Sequence, residues 1–315
     1  MAQIGDSDLD VYPLNLGGNV FGWTADREDS FAVLDAYSAA GGNFVDTADV
    51  YMAGRDGLSG GDSETIIGDW LAARGRRDDM VIATKVGSWQ RHPGLSAKNI
   101  REAAEDSLRR LRTDHIDLYY AHRDFDDVPL EETLGAFDEL VRAGKVRYLG
   151  ASNYTAARLA KALSVADREG FARYVALQPH YNLMERDYET ELAPLVRAQG
   201  LSVMPYFGLA RGFLTGKYRA AEADEKGPRA AGALAYLDAR GERVLAALDE
   251  IAAAHGSSPA AVALAWLAAR PTVTAPIASA RTVGQLADLL ASVELRLADG
   301  ELAALDDASA PESTR

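Results

Sequence analysis

The chain alternates between short runs of apolar residues and longer amphipathic stretches. Continuous apolar runs of this length, bounded by turn residues, are typical of strands buried in a parallel sheet. We predict eight such strands, which begin near Leu14, Asn43, Met80, Ile116, Val146, Tyr174, Leu201 and Val273.

The stretches between the predicted strands have helical periodicity. Ser96–Leu111 opens with a serine N-cap and places its apolar residues on one face. Asp26–Ala40 opens with acidic residues and closes at Gly41-Gly42, as a helix with a glycine cap does. The same reasoning predicts helices over Leu130–Val141, Thr155–Ala166, Glu185–Ala198, Gly241–Ala254 and Val283–Leu290.

Eight strand–helix units predict an α/β protein with a (β/α)8 TIM barrel, as a single domain over residues 1–315. A doubly wound open sheet is the alternative, but Leu16–Gly22 after the first strand lacks the G-x-G-x-x-G spacing. Two segments are predicted loops. Val50–Asp62 contains four glycines, and Arg219–Arg240 is polar and alanine-rich, as a surface loop or lid is.

Composition restricts the partners of this chain. Its formal net charge of −14 argues against nucleic acid or an anionic membrane as the main partner. Cysteine is absent, which excludes disulfides, a thiolate nucleophile and a cysteine metal site. No secretory signal pattern is visible at the start, and no apolar stretch is long enough to span a bilayer. We therefore expect a cytoplasmic enzyme, and a homo-oligomer stays open.

Four reactive side chains lie at or near the ends of three consecutive predicted strands. Asp46 and Tyr51 follow the second strand, Lys85 lies in the third, and His122 follows the fourth. The carboxyl ends of parallel strands meet at the mouth of the sheet, where α/β folds place their active sites. We predict one pocket with a carboxylate, a phenol, an ammonium and an imidazole, a set that suits proton transfer to a carbonyl oxygen.

Lys85 is the most informative of the four, because a lysine in an apolar strand is costly to bury without a carboxylate nearby. Asp46 is its natural partner, and the alternative interpretation is a purely structural ion pair. An ammonium next to a phenol favours the phenolate, so we expect Lys85 to lower the pKa of Tyr51 from its ordinary value of about 10. No second histidine stands at ligand spacing from His122, so no metal site is predicted.

At these residues the chain resembles the aldo-keto reductase superfamily over nearly its full length. It is most similar to the bacterial branch close to potassium-channel β-subunits and to sugar or aldehyde reductases. The resemblance is carried by segments Gly41–Tyr51, Ala83–Val86, Asp117–His122, Gly150–Asn153, Gln178–Asn182 and Gly212–Tyr218.

The resemblance implies an NADPH-dependent reductase of aldehydes, ketones or keto-sugars on a (β/α)8 barrel. Tyr51 would be the general acid in reduction, Lys85 paired with Asp46 would tune it, and His122 would orient the carbonyl. Hydride would come from the nicotinamide. No metal would be needed, since these donors replace a Lewis acid.

The resemblance also assigns the residues that would bind NADP(H). Family contacts to the nicotinamide match Ser152, Asn153, Gln178 and the stacking ring of Tyr206. The loop around the pyrophosphate and the adenosine end match Phe207, Gly208, Leu209, Gly212, Lys217, Ser279, Arg281, Gln285 and Asp288. Arg281 and the start of a helix near Val283 suit a 2′-phosphate, which favours NADP over NAD.

Three departures from the family pattern bear on cofactor and substrate. Phe207-Gly208 replaces a frequent Ser-Pro, Asp288-Leu289 replaces Glu-Asn, and Arg123–Asp127 replaces a segment with Trp or Arg-Pro. Aromatic residues just past the strands are candidate walls of the substrate pocket, namely Trp23, Trp89 and Phe125.

Two other functions remain open at this point. One is a channel-β-like subunit that binds the nucleotide as a redox sensor with little turnover. The other is a barrel isomerase or aldolase in which Lys85 forms a Schiff base.

Overall fold

Eight parallel strands form the centre of the molecule in the computed structural model, which describes residues 1–55, 57–219 and 230–311. The strands are β1 Asn15–Gly17, β2 Phe44–Asp46, β3 Val81–Val86, β4 Ile116–Ala121, β5 Val146–Ser152, β6 Tyr174–Gln178, β7 Ser202–Val203 and β8 Ile277–Ala278. They pair in the order β7-β6-β5-β4-β3-β2-β1-β8.

The two outer strands of this series meet and close the sheet into a barrel. The Val203 N–H donates to Thr272 O at 3.0 Å, and the Thr274 N–H donates back to Val203 O at 2.9 Å. The Ile277 N–H donates to Pro205 O at 2.9 Å. The predicted (β/α)8 barrel is therefore confirmed, and the open sheet is excluded. The predicted start near Val273 falls on this closing bridge, four residues before β8.

Helices cover the outside of the barrel. They are α1 Arg27–Ala39, α2 Asp62–Arg74, α3 Ala97–Leu111, α4 Leu130–Arg142, α5 Ala156–Glu169, α6 Leu192–Gln199, α7 Ala230–Leu234, α8 Ala239–His255, α9 Pro259–Ala268, α10 Val283–Glu294 and α11 Asp299–Ala308.

Each helix predicted from the sequence has a counterpart, but Glu185–Ala198 holds a 3-10 turn, Asp187–Glu189, before α6 begins at Leu192. Helix α2 was missed because its N-cap is Gly61, which offers no side-chain cap. Helix α9 was missed because its buried residues run along nearly its whole length and give no amphipathic pattern.

The barrel interior is closed at the amino-terminal end of the strands by a short hairpin, Ala2–Gln3 paired with Asp10–Val11. Ile4 and Leu9 from this hairpin pack with the inward side chains of the strands. The Gly5 N–H donates to Ser202 Oγ at 2.8 Å, at the start of β7. The opposite, carboxyl-terminal end of the barrel carries the cavity described below.

Among the described residues, no single helix is long and apolar enough to cross a membrane. Helices α8 and α9 pass that test only as a pair, and they meet at a bend of 96°. Of the predicted lid Arg219–Arg240, residues 220–229 lie outside the described residues.

Candidate active site

Lys85 forms the centre of a buried polar cluster at the carboxyl-terminal end of the barrel. Its side chain is fully buried in β3. The ammonium donates to Asp46 Oδ2 at 2.6 Å, to Thr47 O at 2.7 Å and to the Tyr51 hydroxyl at 3.0 Å. All three of its protons are therefore satisfied. Burial lowers the pKa of Lys85, but Asp46 and Tyr51 outweigh burial and raise that pKa above its ordinary value.

Asp46 is held from both sides. One carboxylate oxygen accepts from Lys85, and the other accepts from Gln178 Nε2 at 2.8 Å. The residues come from neighbouring strands, since Asp46 at the end of β2 pairs with Ala83 of β3. This geometry agrees with the predicted ion pair between Asp46 and Lys85.

Tyr51 places its hydroxyl between Lys85 and Asp46 Oδ2, which is 3.4 Å away. Burial raises the pKa of Tyr51 to about 12, and Asp46 adds to the effect while Lys85 opposes it. The predicted lowering of this pKa is wrong for the protein as it stands, because the loss of solvent around the phenol outweighs the ammonium. At neutral pH the phenol keeps its proton, which is the form a general acid needs.

His122 follows β4, and its ring lies edge-on to the ring of Tyr51, with 6.3 Å between their centres. Burial, then Lys85 and Arg123, lower the pKa of His122 well below its ordinary value. The ring is therefore neutral at neutral pH and carries one N–H. Nδ1 is buried and has no hydrogen-bond partner among the described residues.

A large cavity opens beside these groups. Its volume is about 1380 Å³, and Asp46, Tyr51 and His122 contribute to its wall. Every residue predicted to bind the cofactor also lines it: Ser152, Asn153, Gln178, Tyr206, Phe207, Gly208, Leu209, Gly212, Lys217, Ser279, Arg281, Gln285 and Asp288. Pockets for one small ligand are typically about 300–1,000 Å³. This cavity has room for a dinucleotide together with a small substrate.

At the catalytic end, polar side chains from three strands are tied to one another. Asn153, with a positive φ of 55°, donates to His122 O at 2.8 Å and accepts from the Tyr206 hydroxyl at 2.8 Å. The Ser152 hydroxyl donates to Gln178 O at 2.9 Å. The ring of Tyr206 lines the cavity, and His180 is stacked on it at 5.1 Å. These contacts fix the Tyr206 ring in the wall of the cavity that Tyr51 also lines.

The loop after β7 has an unusual backbone. Phe207, Ala210 and Arg211 all have positive φ, of 53°, 46° and 60°, and Gly212 follows at 97°. Such conformations cost about 1–3 kcal/mol each in residues other than glycine and often occur at binding sites. Arg211 lines the cavity, with its guanidinium 4.7 Å from the Phe207 ring. The sequence gives no signal for Arg211, although it lies between two predicted contacts, Leu209 and Gly212.

The far end of the cavity lies at the start of α10. The Thr282 side chain caps this helix, and the Arg281 N–H donates to Gln285 Oε1 at 3.0 Å. The Ser279 hydroxyl donates to Asn19 Oδ1 at 2.7 Å. A helix N-terminus beside Arg281 attracts anions. Together with Tyr206, the side-chain amides of Asn153 and Gln178, and Lys217, these donors fit a nicotinamide dinucleotide.

The three aromatic residues predicted to wall the substrate pocket do not line this cavity. The Trp23 ring is covered by the Arg55 guanidinium at 3.3 Å. Trp89 is buried in a hairpin, Ser88–Trp89 with His92–Pro93, that turns the chain back toward α3. Phe125 lies against Gly87 and is partly buried against the main hydrophobic core.

Other residues of the loops after β1 and β4 occupy the wall instead. Asn19, Thr24, Arg123 and Asp124 line the cavity. The hydroxyl of Thr24 is buried without a hydrogen-bond partner among the described residues. Arg123 could have been found from its position directly after His122. Among residues 1–55, 57–219 and 230–311, no group of three or more His, Asp or Glu side chains could hold a metal ion.

Comparison with known proteins shows the same relationship over most of the chain. The model of the Aldo/keto reductase family matches residues 13–310. Protein tas of Escherichia coli K12 is 35% identical, with 96% of each chain covered. The uncharacterized oxidoreductase YrpG of Bacillus subtilis is 37% identical, with 96% of this chain and 94% of the relative covered. The aryl-alcohol dehydrogenase (NADP+) of Phanerodontia chrysosporium is 33% identical, with 95% and 83% covered. The chain therefore belongs to the aldo/keto reductase family of oxidoreductases.

Proposed function

We propose that this protein reduces the carbonyl of an aldehyde, ketone or keto-sugar to an alcohol, with NADPH as the reductant. One observation carries the proposal: Tyr51 lines a dinucleotide-sized cavity, and its hydroxyl lies 3.0 Å from a fully buried ammonium, Lys85. A phenol in that position has a proton to give and a cation that stabilises the charge left behind.

Proton transfer depends on four linked side chains. The reduced nicotinamide, when bound, supplies a hydride to the carbonyl carbon. Tyr51 donates its proton to the carbonyl oxygen, and Lys85 stabilises the resulting phenolate. Asp46 keeps the ammonium charged and in place, and Gln178 in turn fixes the Asp46 carboxylate. A positioned acid of this kind typically contributes about 10²–10⁴-fold to the rate.

His122 would orient the substrate. Its ring is neutral and faces the same cavity as Tyr51, so it can donate a hydrogen bond to the carbonyl oxygen without competing for the proton. Two donors that converge on the developing negative charge lower the barrier further.

The preference for NADP over NAD rests on Arg281. This residue lines the cavity beside the start of α10 and has no ion-pair partner among the described residues. A planar guanidinium is well suited to a phosphate. One relative is an NADP+ aryl-alcohol dehydrogenase, which agrees with this preference and makes aryl aldehydes the first substrates to test.

The geometry around Lys85 argues against a Schiff-base enzyme. A nucleophilic amine must be neutral and accessible. Lys85 is fully buried, and its raised pKa keeps it charged. For a channel-β-like subunit we would expect a large exposed apolar patch. Among the described residues, the large hydrophobic side chains that are exposed are Met1 and Val283.

The partner is a small carbonyl compound rather than nucleic acid or a membrane, as the net charge of −14 favours. A cytoplasmic location and a homo-oligomer stay predictions.

A fluorescence titration of the purified protein with NADPH and with NADH tests the cofactor assignment without any choice of substrate. We expect tight binding of NADPH and much weaker binding of NADH. If neither nucleotide binds, the cofactor assignment fails and with it the proposed reduction.

A further inference from the structure

Arg123 is a cation at the catalytic side of the cavity that the proposed reaction does not use. It directly follows His122, is exposed, and lines the cavity wall with Tyr51 and Asn153. The loop that carries it comes from β4.

The nucleotide phosphates have other partners. Lys217 and Arg211 lie after β7, and Arg281 lies after β8. In the closed barrel, β4 is four strands from β8 in either direction. Arg123 therefore lies across the barrel mouth from Arg281 and is not needed at the phosphate end.

The charge of Arg123 has no partner among the described residues. Its Nε donates to the neutral Ser88 hydroxyl at 3.1 Å, and no described carboxylate lies within ion-pair distance. The adjacent Asp124 is already engaged, since it accepts two hydrogen bonds from Arg158, both at 2.7 Å. Arg123 lines the cavity, and the two terminal nitrogens of a guanidinium form a fork that matches a carboxylate.

We propose that Arg123 is a specificity-determining residue that recognises a carboxylate on the substrate, at a distance from the reacting carbonyl. The preferred substrates are then carbonyl compounds that carry a carboxylate. The inference rests on the proposed reduction and adds the class of substrate. The pairing of Asp124 with Arg158 contributes to the preference, because it reduces the repulsion between the adjacent Asp124 carboxylate and such a substrate.

A matched pair of aldehydes tests this assignment. The two compounds are para-carboxybenzaldehyde and its neutral amide, para-formylbenzamide, each assayed with NADPH. We expect the wild type to have the higher kcat/KM for the carboxylate. In Arg123→Gln the ratio of the two kcat/KM values should fall about tenfold or more, because one charge-assisted contact is lost. Arg123→Lys should give a ratio between those of the wild type and Arg123→Gln, since lysine keeps the positive charge but not the forked guanidinium.

Arg91→Gln is the matched control. Arg91 is an exposed arginine on the neighbouring hairpin; it lies 3.9 Å from Asp106 and does not line the cavity. Its ratio should equal that of the wild type. A merely structural effect of Arg123→Gln would lower both activities alike and leave the ratio unchanged, which would overturn this inference alone. If neither aldehyde is reduced by the wild type, the proposed reduction fails and this inference fails with it.

Discussion

Replacing Lys85 with methionine tests whether the buried ammonium acts on both the fold and the chemistry. Lys85→Met keeps most of the side-chain volume but removes the three hydrogen bonds to Asp46, Thr47 and Tyr51. Asp46 is then a buried carboxylate with only Gln178 and Tyr51 as partners.

The expected loss of stability follows from that burial. Both side chains of the pair are at most 2% exposed. Removing one partner of a buried ion pair costs about 3–5 kcal/mol. The entropy of unfolding is about 2.1 cal/mol/K per residue. For 315 residues that gives about 0.66 kcal/mol/K, so Tm should fall by about 5–8 °C.

Thermal unfolding and turnover should be measured together on this variant and on a double variant, Lys85→Met with Asp46→Asn. We expect the double variant to regain part of the lost stability, because no unpaired carboxylate remains, while turnover stays low in both. The folded pKa of Lys85 is raised above its ordinary value of about 10.5, so its stabilising effect is fully present below that pH and is lost only as pH rises through the folded pKa. The Tm difference from the wild type should therefore stay constant from about pH 7 to 10. A single variant with unchanged Tm and turnover would refute the reasoning.

Three further predictions concern single groups of the site. The phenolate absorbance of the wild type minus that of Tyr51→Phe should show no ionisation below pH 10, because burial raises the pKa of Tyr51 to about 12; a phenolate signal in that range would contradict the burial argument. The lowered pKa of His122 means that the unfolded chain takes up a proton below about pH 6.5 while the folded one does not. The wild type should thus lose stability on acidification below that pH. The drop in Tm between neutral and acid pH should be smaller for His122→Asn than for the wild type. Equal drops in Tm would count against a neutral buried ring. Arg281→Ala should raise the Kd for NADPH by about tenfold or more and change that for NADH little in a fluorescence titration; equal effects would exclude a 2′-phosphate contact.

The barrel and the catalytic cluster could be predicted because topology leaves little choice. Parallel strands that follow one another in sequence end at the same rim, so Asp46, Lys85 and His122 had to approach one another. Tyr51 follows β2 by only five residues. Such a short connection keeps Tyr51 close to the end of β2.

The pKa of Tyr51, the walls of the pocket and the arginine of the loop after β7 could not be predicted. They depend on depth of burial and on loop conformation, which the sequence pattern does not report. The pKa of Tyr51 is a balance between burial and two opposite charges, and the depth of burial decides it. Trp89 looked like a pocket wall, but the hairpin that carries it directs the ring toward Gly60 and Arg110. Arg211 reaches the cavity through the loop conformation after β7, which apolar periodicity does not report.

The loss of NADPH absorbance on addition of an aryl aldehyde, measured for the wild type and for Tyr51→Phe, tests the central claim most directly. We expect the wild type to consume NADPH. We also expect Tyr51→Phe to bind NADPH with nearly unchanged affinity. Its turnover should be slower by about a hundredfold or more, since the proton donor is gone. Equal turnover by the two proteins would contradict the claim that Tyr51 is the acid of a carbonyl reductase.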